Sequence, residues 1–339
     1  MIDDSENNMQ EINNDKQNLI VDRMGRRFRN LRLSLTAACN YACTYCVPDG
    51  KRLQAAAYEL TGEEIVRATQ LLIATSGIDK VRITGGEPLL SPKFPDTLKG
   101  IMQLGLSDVS LTTNGQLLPR YAQGIIDSGM KRINVSLDTL DRQHFRNIAR
   151  SGDLNTVLHG IELMQAGGLK VKINMVPMKQ VNDDQILPLL DYALERDIEL
   201  RFIELMNMGH LQASPAYKRE FFSMEEILDL VSTRYTFSRT DAPFDSTAVR
   251  YDVSGKGSFG IIANESEPFC RNCTRLRLSS NGALYGCLSS AKSTNIRDLL
   301  ALPDEEAQAA LHDILMGSLA HKQNENFQGE VTVMKFIGG

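Results

Sequence analysis

The chain repeats one hydrophobic pattern six times before it changes. Short apolar runs alternate with amphipathic stretches, and the runs predict strands at residues 31–35, 81–84, 109–112, 133–137, 171–176 and 200–203. The stretches between them carry helix signals. Thr61-Gly62-Glu63-Glu64 has the form of a capping box ahead of Ile65, Val66, Leu72 and Ile73, and Gly77 marks the end of that helix. Ser91-Pro92 predicts another helix start, with proline in its first turn. Repeated strand–helix units make a parallel sheet, and six of them predict a full or partial barrel.

The strands carry a second message. Parallel strands buried on both faces normally read as unbroken apolar runs. Here Arg32 and Ser34 alternate with Leu31, Leu33 and Leu35, and Arg82 and Thr84 with Val81 and Ile83. Asn134, Ser136 and Asp138 alternate with Ile133, Val135 and Leu137, and Lys172 and Asn174 with Val171 and Ile173. Helices must cover the outside, so the polar face is expected to look into the barrel. Solvated strand ends explain one such arginine more readily than four cations. An interior bearing Arg32, Arg82, Lys172 and Arg201 is costly unless an anion neutralises it. A polyanionic ligand is expected there, with phosphates foremost.

Past about residue 206 the pattern changes. Ser223 and Glu226 form a second capping box, and short apolar runs follow at 259–263, 275–279 and 283–288. An Asn281-Gly282 turn joins the last two as a hairpin, which places Cys287 on its return strand. A helix is expected over 304–319. The organisation expected is a disordered tail over 1–22, a barrel over 23–235 and a carboxyl-terminal extension over 236–339.

Composition narrows the function classes. The 339 residues are 42% hydrophobic, enough for a proper core, and carry 37 basic and 42 acidic side chains. A net charge of −5 argues against whole-surface attraction to nucleic acid or to an anionic membrane. No apolar run reaches the roughly 18–20 residues of a spanning helix. The first stretch is polar and acidic and does not read as a secretory or organellar leader. A soluble, cytoplasmic protein is expected.

Six cysteines fall in two triplets: Cys39, Cys43 and Cys46, then Cys270, Cys273 and Cys287. Disulfides are the habit of small secreted domains, which this chain is not. Structural zinc takes four protein ligands, and the five histidines are scattered, although a distant one could still complete a tetrahedron. Three thiolates suit a cubane iron–sulfur cluster with one iron left open. Gly85-Gly86-Glu87-Pro88 follows the second strand, where paired glycines let backbone approach a ligand closely. Barrel sites form at that carboxyl end.

These motifs resemble a known family. Cys39-Asn40-Tyr41-Ala42-Cys43-Thr44-Tyr45-Cys46 resembles the signature of the radical S-adenosylmethionine (SAM) enzymes. Gly85-Gly86-Glu87 resembles the segment that meets the methionine amine in that superfamily. The run from Phe269 through Cys270, Cys273, Arg275 and Arg277 to Ser279, with Cys287 after it, is similar to the MoaA family, the GTP 3′,8-cyclases of molybdenum cofactor biosynthesis. So are Leu-Thr-Thr-Asn-Gly at 111–115, Asn-Val-Ser-Leu-Asp at 134–138, Arg-Phe-Ile-Glu-Leu-Met at 201–206 and the terminal Gly338-Gly339. The resemblance runs from about residue 28 to the end. Ala37-Ala38, Ala42 and Val47 depart from the family's usual residues, and none of them replaces a cysteine.

The resemblance implies a partial (β/α)6 TIM-like barrel of the radical SAM type with a carboxyl-terminal cluster-binding extension. It implies two [4Fe-4S] clusters, one on Cys39, Cys43 and Cys46, the other on Cys270, Cys273 and Cys287. Tyr45, Gly86, Ser136 and Met206 match positions around SAM. Arg32, Arg82, Thr112, Lys172, Arg201, Arg275 and Arg277 match positions around GTP. In the implied reaction, reductive cleavage of SAM gives a 5′-deoxyadenosyl radical that takes the ribose 3′-hydrogen of GTP. Bond formation between C3′ and C8 then gives 3′,8-cyclo-7,8-dihydro-GTP. Implied partners are a low-potential electron donor and a downstream cyclic pyranopterin monophosphate synthase (MoaC), with a homodimer left open. The alternatives are a radical SAM enzyme acting on a peptide or a tetrapyrrole, and a zinc-bearing interaction protein.

Overall fold

The computed structural model describes residues 20–244 and 246–329. All six predicted strands form within about one residue of their expected limits: β1 Asn30–Ser34, β2 Lys80–Thr84, β3 Asp108–Thr113, β4 Arg132–Ser136, β5 Lys170–Met175 and β6 Glu199–Ile203. Six more follow: β7 Phe237–Thr240, β8 Val249–Val253, β9 Gly257–Ile262, β10 Arg275–Leu278, β11 Ala283–Tyr285 and β12 Thr294–Asn295. The helices are α1 Gly62–Ser76, α2 Phe94–Met102, α3 Leu118–Asp127, α4 Arg142–Ala149, α5 Leu154–Ala166, α6 Ile186–Glu195, α7 Pro215–Glu220, α8 Met224–Ser232 and α9 Asp304–Ala320.

All twelve strands join one open sheet in the order β12-β11-β10-β1-β2-β3-β4-β5-β6-β9-β8-β7. β10 pairs parallel with β1 and β9 parallel with β6, so eight parallel strands make the curved core of a barrel that does not close. The carboxyl-terminal extension is therefore built into the sheet at both edges, not packed on it as a separate layer. Leu31, Leu33, Val81, Ile83, Leu111, Ile133, Val135, Ile173, Leu200 and Phe202 are buried and belong to one core cluster. Their alternate neighbours carry the polar side chains. This is the period of two that the sequence shows.

Two capping boxes form as the sequence predicts, Thr61 with Glu64 on α1 and Ser223 with Glu226 on α8, and Gly77 closes α1 in the left-handed region at φ 68°. Other expectations need correction. The Ser91-Pro92 start gives no helix at that point. α2 begins at Phe94, and Pro95 is the proline of its first turn. Cys287 lies just beyond β11, which ends at Tyr285, because the chain turns away at Gly286. The tail boundary at residue 22 is too late: Ile20 is buried, and Asp22 pairs with buried Arg26 at 2.6 Å. The rest of the expected tail and the Gly338-Gly339 terminus lie outside the described residues. Among those described, no helix is long and apolar enough to cross a membrane.

Thr61→Ala removes one half of a reciprocal cap and is expected to cost about 1 kcal/mol of stability. A urea melt with unchanged slope and a lowered midpoint checks it.

Candidate active site

The loop after β1 carries the first triplet and is fixed mainly by backbone. Ala42 and Thr44 donate their N–H groups to the carbonyls of Ala149 (3.0 Å) and Ile148 (3.1 Å) at the end of α4. On its other side the loop after β2 runs against it, with Gly86 N–H donating to Thr36 (2.7 Å) and Glu87 N–H to Ala38 (2.8 Å). A Cβ on Gly85 would lie 2.7 Å from the Thr36 carbonyl oxygen, and one on Gly86 would overlap the carbonyls of Ala37 (2.6 Å) and Ala38. The glycine pair is thus required by close backbone approach.

Glu87 locks this arrangement. Its carboxylate accepts from Thr113 Oγ1 (2.7 Å), Leu89 N–H (3.0 Å) and Asn114 N–H (2.7 Å), tying the β2 and β3 loops together. Burial still raises its pKa to about 7 against these bonds. Asn114 Nδ2 bonds Asn40 Oδ1 (2.8 Å) and lies 3.9 Å from Cys39 Sγ. Tyr45 donates its hydroxyl to Asp138 (2.9 Å), whose other oxygen accepts from Val176 N–H (2.8 Å). Burial pushes the Asp138 carboxyl up to about 6. Buried Glu204 gathers the amides of Met224, Glu265 and Ser266 (2.8–3.0 Å) and so fixes the turn that leads to Met206.

The second triplet arrives through sheet pairing. β10 lies beside β1, so Cys270 and Cys273, which precede β10, and Cys287, which follows β11, reach the cavity that the first triplet lines. Burial pushes the Cys39 thiol up to about 11 and Cys46 to about 12. Cys43 goes well above its ordinary value, through burial and then its neighbours Cys46, Asp138 and Cys39. Cys270 rises to about 11 by burial, with Cys273 and Cys287 adding to it. Cys273 behaves differently. Burial works to raise it, but Arg275 and Lys322 bring it down to about 5. Each triplet therefore holds thiols within reach of one another's charge, and none of its thiols has a fourth cysteine to turn to. A cubane binds its three thiolates on three separate irons, so this donor set fits a cluster with one iron open.

The cavity is about 1060 Å³, at the top of the range for single-ligand pockets. Cys39, Cys43, Cys46, Tyr45, Gly86, Ser136 and Met206 line it, together with Arg32, Arg82, Thr112, Arg201, Arg275, Arg277 and the three cysteines of the second triplet. Arg277, Arg32 and Arg82 stand side by side in register on β10, β1 and β2. Burial and then Arg277, Arg82, Arg275 and Arg201, all like charges, press Arg32 far below its usual pKa. Burial and then Arg201, Arg132 and Arg275 push Arg82 down to about 9, and burial and Arg275 bring Arg277 to about 10. Arg82 Nε and Arg201 Nε are buried without a hydrogen-bond partner among the described residues. A guanidinium keeps its proton in a protein, so an anion in the cavity would relieve this pressure.

Lys172 stands apart. It does not line the cavity but pairs with Glu199 at 2.9 Å, a carboxylate that also takes Arg250 (3.1 Å) and Arg201 (4.0 Å). Asn134 accepts from Arg201 Nη2 and fixes that guanidinium, which stands in register with Asn174 on β5 and Gly260 on β9. Sequence reasoning quoted Glu87, Asn114 and Asp138 within its motifs but gave none of the three a role of its own in the site. It also missed Lys322, Arg26 and Glu204. No spacing relates Lys322 or Arg26 to the cysteines.

Residues 33–193 match the Radical SAM superfamily and residues 198–328 match Molybdenum Cofactor Synthesis C. A GTP 3′,8-cyclase of Synechocystis sp. is 40% identical over 284 residues, 84% of this chain and 86% of that protein. GTP 3′,8-cyclase 1 of Pseudomonas aeruginosa is 36% identical over 94% of this chain and 97% of its own length. Among solved structures, Streptococcus suis SuiB bound to S-adenosylmethionine superposes with a TM-score of 0.61 over 92% of this chain and 74% of that one, at 18% identity. That likeness supports the radical SAM fold, a partial barrel.

Gly86→Ala is expected to push the Cys39–Cys46 loop off its seat, so that the reconstituted protein takes up less iron than the unaltered chain. Cys43→Ala is expected to do the same and to abolish formation of 5′-deoxyadenosine. Iron and sulfide analysis of reconstituted proteins checks both.

Proposed function

The chain belongs to the GTP 3′,8-cyclase family of radical SAM enzymes, and we propose that it rearranges GTP into 3′,8-cyclo-7,8-dihydro-GTP on the way to the molybdenum cofactor. When bound, SAM and a cluster on Cys39, Cys43 and Cys46 supply a hydrogen-abstracting radical, and a second cluster on Cys270, Cys273 and Cys287 supplies an iron open to guanine. The protein's own work is placement.

The observation that carries this reading is the row Arg277–Arg32–Arg82, which lines one cavity together with both triplets. Three adjacent guanidinium groups on neighbouring strands repel one another, and a triphosphate supplies the charge and the bidentate acceptors that reverse the sign. Arg201, held by Asn134, and Thr112 extend the row toward β6. Arg275 lies over the Phe269 ring at 4.5 Å, which fixes its guanidinium at the rim beside Cys273. In this reading the triphosphate takes the row, and ribose and base occupy the rest of the cavity that both triplets line. Tyr45, Gly86, Ser136 and Met206 line the same cavity and would hold SAM.

A peptide supplies no fixed polyanion, and a tetrapyrrole spreads its carboxylates around a macrocycle, whereas a triphosphate concentrates its charge along one short chain, so the row favours the nucleotide. The reading also needs a low-potential electron donor and passes the product to a cyclic pyranopterin monophosphate synthase, with the cytoplasm as the compartment. Lys172, occupied by Glu199, would join the phosphates only by leaving that carboxylate.

Arg32→Met is expected to weaken GTP binding roughly 10- to 100-fold, the cost of about 1.5–3 kcal/mol for a charged hydrogen bond, with guanosine binding little changed. The same substitution is expected to raise the melting temperature of the ligand-free protein, because it removes a like charge. Calorimetric titration and a thermal melt read both, and unchanged GTP affinity would defeat the phosphate assignment.

A further inference from the structure

Lys322 follows α9 and is buried at 6% exposure, yet it has no ion pair with a carboxylate among the described residues. A buried ammonium needs an anion and partners for all three N–H groups. Its Nζ has them: Cys273 Sγ at 3.3 Å, the Arg275 carbonyl at 2.9 Å and the Gly286 carbonyl at 2.8 Å. The Phe28 ring lies 5.1 Å beneath it. Its leading anionic neighbours are the thiols of Cys273 and Cys287.

The approach is built by packing. A Cβ on Gly286 would fall on the Ser318 carbonyl, so the glycine before Cys287 lets α9 press against the triplet and carry Lys322 in. Arg26 secures the same corner, donating to the Cys270 carbonyl (3.0 Å) and to the Gln323 carbonyl (2.6 Å). Cys273 thereby receives two cationic donors, Lys322 and Arg275, each at 3.3 Å. Around Cys39 the donors are neutral, the Tyr41 amide at 3.4 Å and Asn114 at 3.9 Å. Hydrogen bonds and positive charge at ligand sulfurs raise a cluster's reduction potential, because they stabilise the added electron.

We infer that Lys322 is a positioning residue for the second cluster: it holds Cys273 against the Gly286 turn and sets that cluster's potential. The inference rests on the reading that Cys270, Cys273 and Cys287 bind a cluster. It gives the two clusters separate electronic characters, with the donor-poor first triplet the lower in potential and the cation-rich second one the higher.

The test uses full-length protein in the Cys43→Ala background, so that only the second cluster is present, and follows its reduction by electron paramagnetic resonance during a redox titration. Lys322→Gln keeps donors without charge and is expected to shift the midpoint to more negative potential, and Lys322→Arg to return most of the shift. Loss of the cluster in Lys322→Gln with retention in Lys322→Arg also supports a requirement for the charge. An unmoved midpoint in Lys322→Gln overturns the inference, and so does equal loss of the cluster in both variants. Failure of the Lys322-intact protein to take up any cluster is a separate result, since it overturns the cluster reading itself.

Discussion

Repulsion among buried guanidinium groups is the constraint on which this molecule is organised. Arg277, Arg32 and Arg82 occupy one level of the sheet on adjacent strands, and Arg201 bears on the same interior. A closed, side-chain-filled barrel could not hold them. The open sheet keeps a large cavity along that row, and each neighbouring feature is consistent with it. Glu199 balances the cations at the base, where Lys172, Arg250 and Arg201 converge on it and hold its carboxyl below its usual range despite burial. Higher in the barrel the balance is left to a ligand.

Parallel pairing of β10 with β1 then joins two chemistries that are remote in the chain. It brings Arg277 level with Arg32 and sets the second cysteine triplet in the cavity that the first one lines. Glycines permit the approach on each side. Gly85 and Gly86 let the β2 loop lie along the first cysteine loop, and Gly286 lets α9 reach the second triplet. Positioning in both places is done by buried titratable side chains, each held by three hydrogen bonds, Glu87 on one side and Lys322 on the other. Such groups fix a geometry because any other arrangement would leave them unsatisfied.

Much of this was legible in the residues. Strand positions followed from alternation, and α1 and α8 announced themselves by capping boxes, because both are local signals. The basic interior was legible for the same reason: Arg32 and Arg82 sit on a period of two. Lys172 shares that period, yet its register partner Glu199 on β6 takes it up, and register across strands is not written in either strand alone. β8 carried a readable alternation of Val249, Tyr251 and Val253, whereas β7 is a largely exposed edge strand with little to read. Lys322 and Arg26 were illegible in principle. Each becomes part of the site only because separate segments of the chain pack at the second triplet.

The central claim is that this cavity places a radical beside the ribose of GTP. The direct measurement is a single anaerobic incubation of the reconstituted protein with dithionite, SAM and GTP deuterated at the ribose 3′ position, read by mass spectrometry. The account predicts 5′-deoxyadenosine carrying the deuterium, together with an isomer of GTP that has lost it. Unlabelled 5′-deoxyadenosine with GTP recovered intact would contradict the account, leaving a radical enzyme whose substrate is something else.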